Sequence, residues 1–274
     1  MVLLTLIQTS QNRRDCLRRF VESLNAQHGI ELSKIQLIFV DQGDNKDLFE
    51  SLNPQISFVY LHNNPCSLSH ARNIAIPHVK GKYIAYPDDD CWYASNTISY
   101  ALEILQNGCY DGVSGKGTNE NDVLTSIFPN ESAEICSTNR CAAISYTMFF
   151  KFNAEVSFNE DMGVGSPYNF GAGEETDYLL QLIQKYHYRV LYDPNLIVHH
   201  PTGTKMDIVK AYSYARGAGY LMRLHSFPVS YILKQFCRPL GGVFFYLITG
   251  DFCMSRKSFL ILKGRIEGIL GIKQ

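Results

Sequence analysis

Three consecutive carboxylates, Asp88-Asp89-Asp90, follow the apolar run Tyr83-Ile84-Ala85-Tyr86 and a proline, Pro87. Adjacent anions repel one another, so a strand that releases three of them needs positive charge nearby. A hard divalent cation, Mg²⁺ or Mn²⁺, completed by substrate phosphates and water, would supply it. The competing reading is a solvated acidic turn. A second acidic group, Glu174, Glu175 and Asp177, follows the small-residue run Gly171-Ala172-Gly173. Carboxylates in a first helical turn favour the helix dipole, and capping accounts for one or two of these three. It does not account for the glycines, which free the backbone for a close approach to a ligand; Glu175 therefore reads as functional. A third signal is His199-His200-Pro201 at the end of a short apolar run. Two imidazoles after a strand, in a chain that also offers a carboxylate metal candidate, are metal-ligand candidates, against packing as the alternative. The sequence does not separate His199 from His200.

The elements that must position these groups follow from periodicity. Apolar runs over 2–7, 35–40, 56–61 and 83–86 predict strands, and apolar faces at helical spacing predict helices over 15–24, 69–76 and 96–105. A short strand over 110–114, a mobile loop over 116–140 and an apolar strand within 142–152 come next. Beyond the acidic helix, strands over 188–192 and 196–198 are separated by Asp193-Pro194. This alternation predicts an α/β sheet with helices on both faces. Ligands of such sheets gather beyond the carboxyl ends of the strands. That rule places Thr9, Asp41, Asn63 and the aspartate triplet on one rim.

The bulk numbers narrow the function. A chain of 274 residues with 46% hydrophobic and 19% charged residues has ample core. With 25 basic and 26 acidic residues the net charge is -1, so no cationic excess exists to neutralise a nucleic acid, and none is expected as a partner. The eight cysteines form no Cys-x-x-Cys pair and read as buried apolar residues of a reducing compartment. No basic leader and no stretch of about 18 uncharged apolar residues stands out, so the expectation is a cytoplasmic protein without a spanning helix.

Residues 205–274 differ in character. A helix over 206–224 carries small residues around Ala215-Arg216-Gly217-Ala218-Gly219, which suit close packing against another helix or lipid, with core packing the favoured reading. The apolar stretch 228–248 is interrupted by Lys234, Arg238, Pro239 and Gly241-Gly242. Arg256, Lys257, Lys263 and Arg265 then alternate with Phe259, Leu260, Ile261 and Leu262. Cation-rimmed apolar faces suit a helix lying in a membrane interface; a helical lid packed on the catalytic part is the other reading, and the two are compatible.

Six blocks in order resemble the family 2 glycosyltransferases of the GT-A fold, over about residues 1–204. Gln8-Thr9-Ser10-Gln11-Asn12-Arg13 is similar to the family's Pro-Thr-Tyr-Asn-Arg opening, with Gln8 and Ser10 departing from it. Val40-Asp41-Gln42-Gly43-Asp44 resembles Val-Asp-Asp-Gly-Ser. Ser69-His70-Ala71-Arg72-Asn73 with Gly81-Lys82-Tyr83-Ile84 resembles the Ala-Arg-Asn and Gly-x-Tyr-Ile segments. The triplet takes the place of Asp-x-Asp, with Cys91 where another Asp is frequent. Gly173-Glu174-Glu175-Thr176-Asp177 resembles the Glu-Asp block, with Glu175 for the usual Asp, and His200 matches the His before Pro that closes the core.

The resemblance implies a GT-A nucleotide-diphospho-sugar transferase fold, a Rossmann-like mixed sheet flanked by helices. The catalytic domain would span 1–204, with a donor half to about 115 and an acceptor half from 116, followed by a helical C-terminal extension over 205–274. It implies an inverting transfer from a nucleotide-diphosphate sugar to a glycan or lipid-linked acceptor. The enzyme would be cytoplasmic, or peripheral at the inner face of the plasma membrane through 205–274. Thr9, Asp41, Arg72, Asp88 and Asp89 would hold the donor, with Asp88 near the ribose. Asp90 and His200 would bind Mn²⁺ or Mg²⁺, Glu175 would be the base, and Glu174 and Asp177 would lie on the acceptor side. A sugar-phosphate nucleotidyltransferase would need a glycine-rich loop after the first strand, and 8–14 contains no glycine. A non-catalytic nucleotide- or glycan-binding protein would have no use for Asp88, Asp90 and Glu175 together.

Overall fold

The computed structural model describes residues 1–136, 144–203 and 206–273. Its chain forms two compact units: Met1–Cys66 with His70–Ser157 and Gln181–Gly203, and Ser67–Ser69 with Phe158–Leu180 and Thr204–Gln274.

The first unit is built on a nine-stranded sheet. Its strands are β1 (Leu4–Ser10), β2 (Ile35–Asp41), β3 (Ser57–His62), β4 (Tyr83–Ala85), β5 (Trp92–Tyr93), β6 (Gly112–Thr118), β7 (Ala133–Glu134), β8 (Met148–Lys151) and β9 (Val190–His199). They lie in the order β3-β2-β1-β4-β8-β6-β9-β5, with β7 beside β9. Strands β1 to β4 are mutually parallel, β8 runs against both β4 and β6, β6 and β9 are parallel, and β5 runs against β9. The sheet is therefore mixed, as expected.

Alternation along the strands sends Leu4, Leu6, Leu37 and Phe39 to one face. There they meet Leu17, Phe20, Val21 and Leu24 of α1 (Arg14–Asn25) and the apolar face of α3 (Thr97–Gln106). Residues of the other parity are also buried, and two of them are polar. The Thr5 hydroxyl donates to Gln36 Oε1 at 2.7 Å and accepts from the Gly81 N–H at 2.9 Å. Gln36 Oε1 also accepts from the Lys80 N–H at 2.9 Å, and its Nε2 donates to the His78 carbonyl at 3.0 Å. A buried polar pair satisfied in this way holds the connection into β4, and so aims the aspartates that follow it.

Two sequence expectations need correction in this unit. Asp193-Pro194 does not divide two strands, because β9 runs through it. The register to β6 jumps there from Ser114↔Tyr192 to Lys116↔Ile197, so Pro194 lies in a bulge, where its missing N–H is not needed. Gly115 makes room for the bulge, since a Cβ there would sit 2.1 Å from the Leu196 carbonyl oxygen. The loop expected over 116–140 is partly ordered: β6 continues to Thr118, and Ala133–Glu134 pairs with β9. Residues 137–143, which include Cys141 and the start of the strand expected from 142, lie outside the described residues; β8 follows a 3₁₀ turn at Ser145–Thr147.

The second unit contains α5 (Ile208–Leu224), α6 (Val229–Ile248) and α7 (Phe252–Leu270). The Asp207 carboxylate accepts from the Lys210 N–H at 2.7 Å and caps α5, and Asp251 caps α7 by accepting from the Met254 N–H at 3.0 Å. Small residues bring α5 and α7 together, because a Cβ on Gly219 or Gly268 would lie 2.3 or 2.1 Å from a carbonyl oxygen of the facing helix. Between them the buried Arg216 donates to Glu267 at 3.0 Å, and Tyr212 donates its hydroxyl to the same carboxylate. Pro239 sits inside α6 and offers no N–H to the Gln235 carbonyl four residues back. Arg265 of α7 donates to that carbonyl instead. Among the described residues no helix is long and apolar enough to cross a membrane.

The glycine-rich run before Glu174 also belongs here, and its packing overturns the ligand-approach reading. The Gly171 N–H donates to the Ser213 carbonyl of α5 at 3.2 Å. A Cβ on Gly217 of α5 would meet the Ala172 oxygen at 2.0 Å. The small residues serve contact between a turn and a helix.

Candidate active site

Parallel register brings the carboxyl ends of β1, β2 and β3 level, pairing Ser10 with Asp41 and Asp41 with His62. The chain leaves β4 at the same rim and presents Asp88, Asp89 and Asp90. His200 follows β9, and its N–H donates to the Thr118 carbonyl at 2.8 Å. Asp88, Asp90 and His200 each offer one donor atom, and these atoms all lie within 4.8 Å of one another.

The surrounding contacts fix these donors. The His200 ring stacks on Tyr146 with centroids 4.6 Å apart, and Nδ1 donates to the Pro201 carbonyl at 2.7 Å. That bond puts a proton on Nδ1 and turns Nε2 toward Asp90 Oδ1, 2.9 Å away, a contact that takes a second ring proton, which a bound metal would replace. An imidazole oriented through its other nitrogen is the usual support of a metal ligand. His199 is otherwise engaged: its ring stacks on Trp92 at 5.3 Å, and Nδ1 lies 3.0 Å from the Thr118 hydroxyl. Asp88 accepts from Arg72 Nη2 at 2.9 Å and from the Ser145 hydroxyl at 3.3 Å. Arg72, carried by α2 (Leu68–Ala75), is buried. Asp89 accepts from the Ser10 hydroxyl at 2.7 Å, and Arg13 bridges Asp89 and Asp90.

The three carboxylates are thereby set apart in acidity. Burial pushes Asp88 above the ordinary carboxylate range against the pull of Arg72 and His200. Asp89 is raised for the same reason, with Ser10 and Arg13 opposing. At Asp90 burial acts in that sense too, but His200 and Arg13 together outweigh it and hold the group below its usual range. His200 is raised, because Asp90 outweighs the effect of burial. Two carboxylates and an imidazole with its far nitrogen already bound fit a divalent cation such as Mn²⁺ or Mg²⁺. Cys91 takes no part, being fully buried in the apolar core.

The remaining expected residues are placed as follows. Thr9 is buried at the end of β1. Asp41 is fully buried and saturated: it accepts from the Gly43 N–H at 2.9 Å, from Asn45 at 2.7 and 2.8 Å, and from the Tyr60 hydroxyl at 3.0 Å. Burial and this bond push the Tyr60 phenol up to about 12. A carboxylate with about four acceptor positions has none left for a nucleoside, so Asp41 shapes the 41–45 turn. Glu174, Glu175 and Asp177 open α4 (Glu174–Tyr186) and belong to the second unit. Glu174 is buried and Glu175 half-buried. Asp177 is buried and bound to His225 Nε2 at 2.8 Å; that pairing gives it a place in the packing of the second unit and corrects its expected acceptor-side place. Sequence reasoning missed Ser10, Arg13, Ser145 and Tyr146. Arg13 closed the first motif block, and the parallel pairing of β1 with β4 was the signal that joins it to the triplet.

The model of a family described as Glycosyl transferase family 2 matches residues 5–172. The chain is 28% identical over 109 residues to the UDP-Glc:alpha-D-GlcNAc-diphosphoundecaprenol beta-1,3-glucosyltransferase WfaP of Escherichia coli, a stretch covering 39% of this chain and 42% of that protein. The match thus spans less than half of that relative. Among solved structures, S. aureus TarS 1-349 in complex with UDP-GlcNAc superposes with a TM-score of 0.61 at 13% identity, covering 99% of this chain and 74% of that one. The mannosyltransferase PcManGT of Pyrobaculum calidifontis, in complex with GDP-Man and Mn²⁺, gives 0.61 at 11% identity, covering 98% and 87%. At such identities the likeness is one of fold.

Proposed function

The chain belongs to glycosyl transferase family 2 and has the GT-A fold, and on that premise we propose that it is an inverting, metal-dependent glycosyltransferase. It moves a sugar from a nucleotide-diphosphate donor to an acceptor hydroxyl in the synthesis of envelope or extracellular polysaccharide or of a lipid-linked glycan. The observation that carries the reading is the convergence of Asp88, Asp90 and His200 within 4.8 Å at the rim where an α/β sheet binds its ligands.

These three residues would hold Mn²⁺ or Mg²⁺, which supplies positive charge to the departing diphosphate. Asp88, fixed by Arg72 and Ser145, would meet the donor's ribose, and Asp89 is steadied by Ser10. Thr9 and the turn shaped by Asp41 border the nucleoside. Glu175 takes the proton from the attacking hydroxyl, with Glu174 on the acceptor side. A carboxylate is a weak base, adequate where proton transfer lags behind bond cleavage and positioning carries most of the rate. The acceptor named for WfaP is a lipid diphosphate, which favours a lipid-linked acceptor here and a place at the inner face of the plasma membrane.

Thermal denaturation with a panel of UDP-, GDP- and dTDP-sugars, with and without Mn²⁺, tests the reading. One donor class is expected to raise the melting temperature only with metal, by mass action, and Asp90→Ala is expected to abolish the shift. Equal shifts in the wild type and in Asp90→Ala would remove the metal from donor binding, and no shift with any sugar would remove the donor.

A further inference from the structure

Helices of a soluble protein turn their polar faces outward, and α6 does the reverse. Val229, Leu233, Leu240, Phe244 and Leu247 recur at helical spacing along it, and all five are exposed. The stripe runs into the turn between α6 and α7, where Phe245 is 61%, Ile248 87% and Phe252 71% exposed. On α7 the exposed Phe259, Ile266 and Leu270 continue the pattern. Contiguous exposed apolar surface of this kind marks a contact site.

The charges beside it decide with what. On α6 Lys234 directly follows Leu233 and Arg238 stands two positions before Leu240, and Arg256 stands one turn into α7; all three are exposed. None of the three pairs with a carboxylate among the described residues. From 229 to 273 the acidic residues are Asp251, spent on capping α7, and Glu267, bound to Arg216. An apolar ridge flanked by unpaired cations complements a layer of anionic headgroups over hydrocarbon. A second copy fits poorly, because a two-fold contact through this face would set the same cations opposite each other.

We propose that the α6–α7 hairpin docks the protein on an anionic lipid bilayer. Its turn, led by Phe245, Ile248 and Phe252, sinks between the headgroups while Lys234, Arg238 and Arg256 pair with lipid phosphates. The proposal extends the reading of a lipid-linked acceptor to the surface that would hold it, yet stands on the helices alone.

The test is co-sedimentation of the full chain with vesicles of phosphatidylglycerol and phosphatidylethanolamine, and in parallel with phosphatidylcholine, without donor or metal. Binding is expected on the anionic vesicles and to weaken as salt is added. Phe245→Ser/Ile248→Ser/Phe252→Ser is expected to weaken it by about tenfold or more. Lys234→Gln/Arg238→Gln/Arg256→Gln is expected to weaken it by about fivefold per charge removed, with little change on phosphatidylcholine. Circular dichroism of both variants should match the wild type, since all six side chains are exposed. Wild type left in the supernatant of both vesicle types overturns the proposal. So does a serine variant that binds as well as the wild type. A dimer that the serine substitutions dissolve, in a protein that ignores vesicles, assigns the face to a second copy instead. Vesicle binding is read without turnover, so none of these results bears on the transferase assignment, and the donor panel does not bear on the hairpin.

Discussion

The carboxylates at the sheet rim and those among the C-terminal helices are held by opposite means. Asp88, Asp89 and Asp90 share Arg72, Ser10, Arg13 and His200 and stay half-open to solvent. Asp177 and Glu267 are sealed, the first by His225 and the second by Arg216 and Tyr212. Burying a charge costs free energy unless it is paired. A closed pair spends its valence on the fold, while an open cluster keeps some for a ligand. Acidic residues look alike in a sequence; their environments assign them different work.

Four substitutions sharpen or break this contrast. The largest effect is expected from Asp90→Ala, which should lower transfer by about a thousandfold while folding stability moves by less than about 1 kcal/mol. Enzyme assay beside urea denaturation separates the two, and a large loss of stability would make the rim structural. Arg216→Met should behave in the reverse way. It leaves the buried Glu267 with only the half-exposed Lys263, 3.7 Å away, as a cation and should cost about 3 kcal/mol in urea denaturation. Glu175→Gln should retain donor binding in the thermal assay and lose about a hundredfold in turnover; full turnover would remove it from the base role. The smallest effect is expected from His225→Ala, which removes the buried contact between His225 and Asp177 and should lower stability by about 2 kcal/mol. If it instead changed the Michaelis constant for acceptor at unchanged stability, Asp177 would rejoin the acceptor side.

Much of the rim was legible because it is made of strand ends, and strand ends follow from apolar runs and the residues that stop them. The order of motif blocks then carried the family. Pro194 misled, since a proline in a strand usually ends it, and only the register shift against Gly115 shows the bulge that accommodates it. The run from Gly171 to Gly173 misled in a different way. Glycine reports that something comes close without saying what, and here the visitor is α5. Asp41 and Asp177 could not be told from open carboxylates, because their partners Tyr60 and His225 lie 19 and 48 residues away in sequence. The apolar face of α6 was hidden by Lys234, Arg238 and Pro239, which read as interruptions, whereas one helix runs through all three, burying Pro239 and leaving the two cations exposed.

Pro239 has a consequence for assembly. By removing the donor four residues beyond Gln235, it makes that segment incomplete until Arg265 arrives from the neighbouring helix. The two helices are thus obliged to mature together: a chain truncated before Arg265 would carry an unfinished α6, and the tail should be gained or lost as one piece.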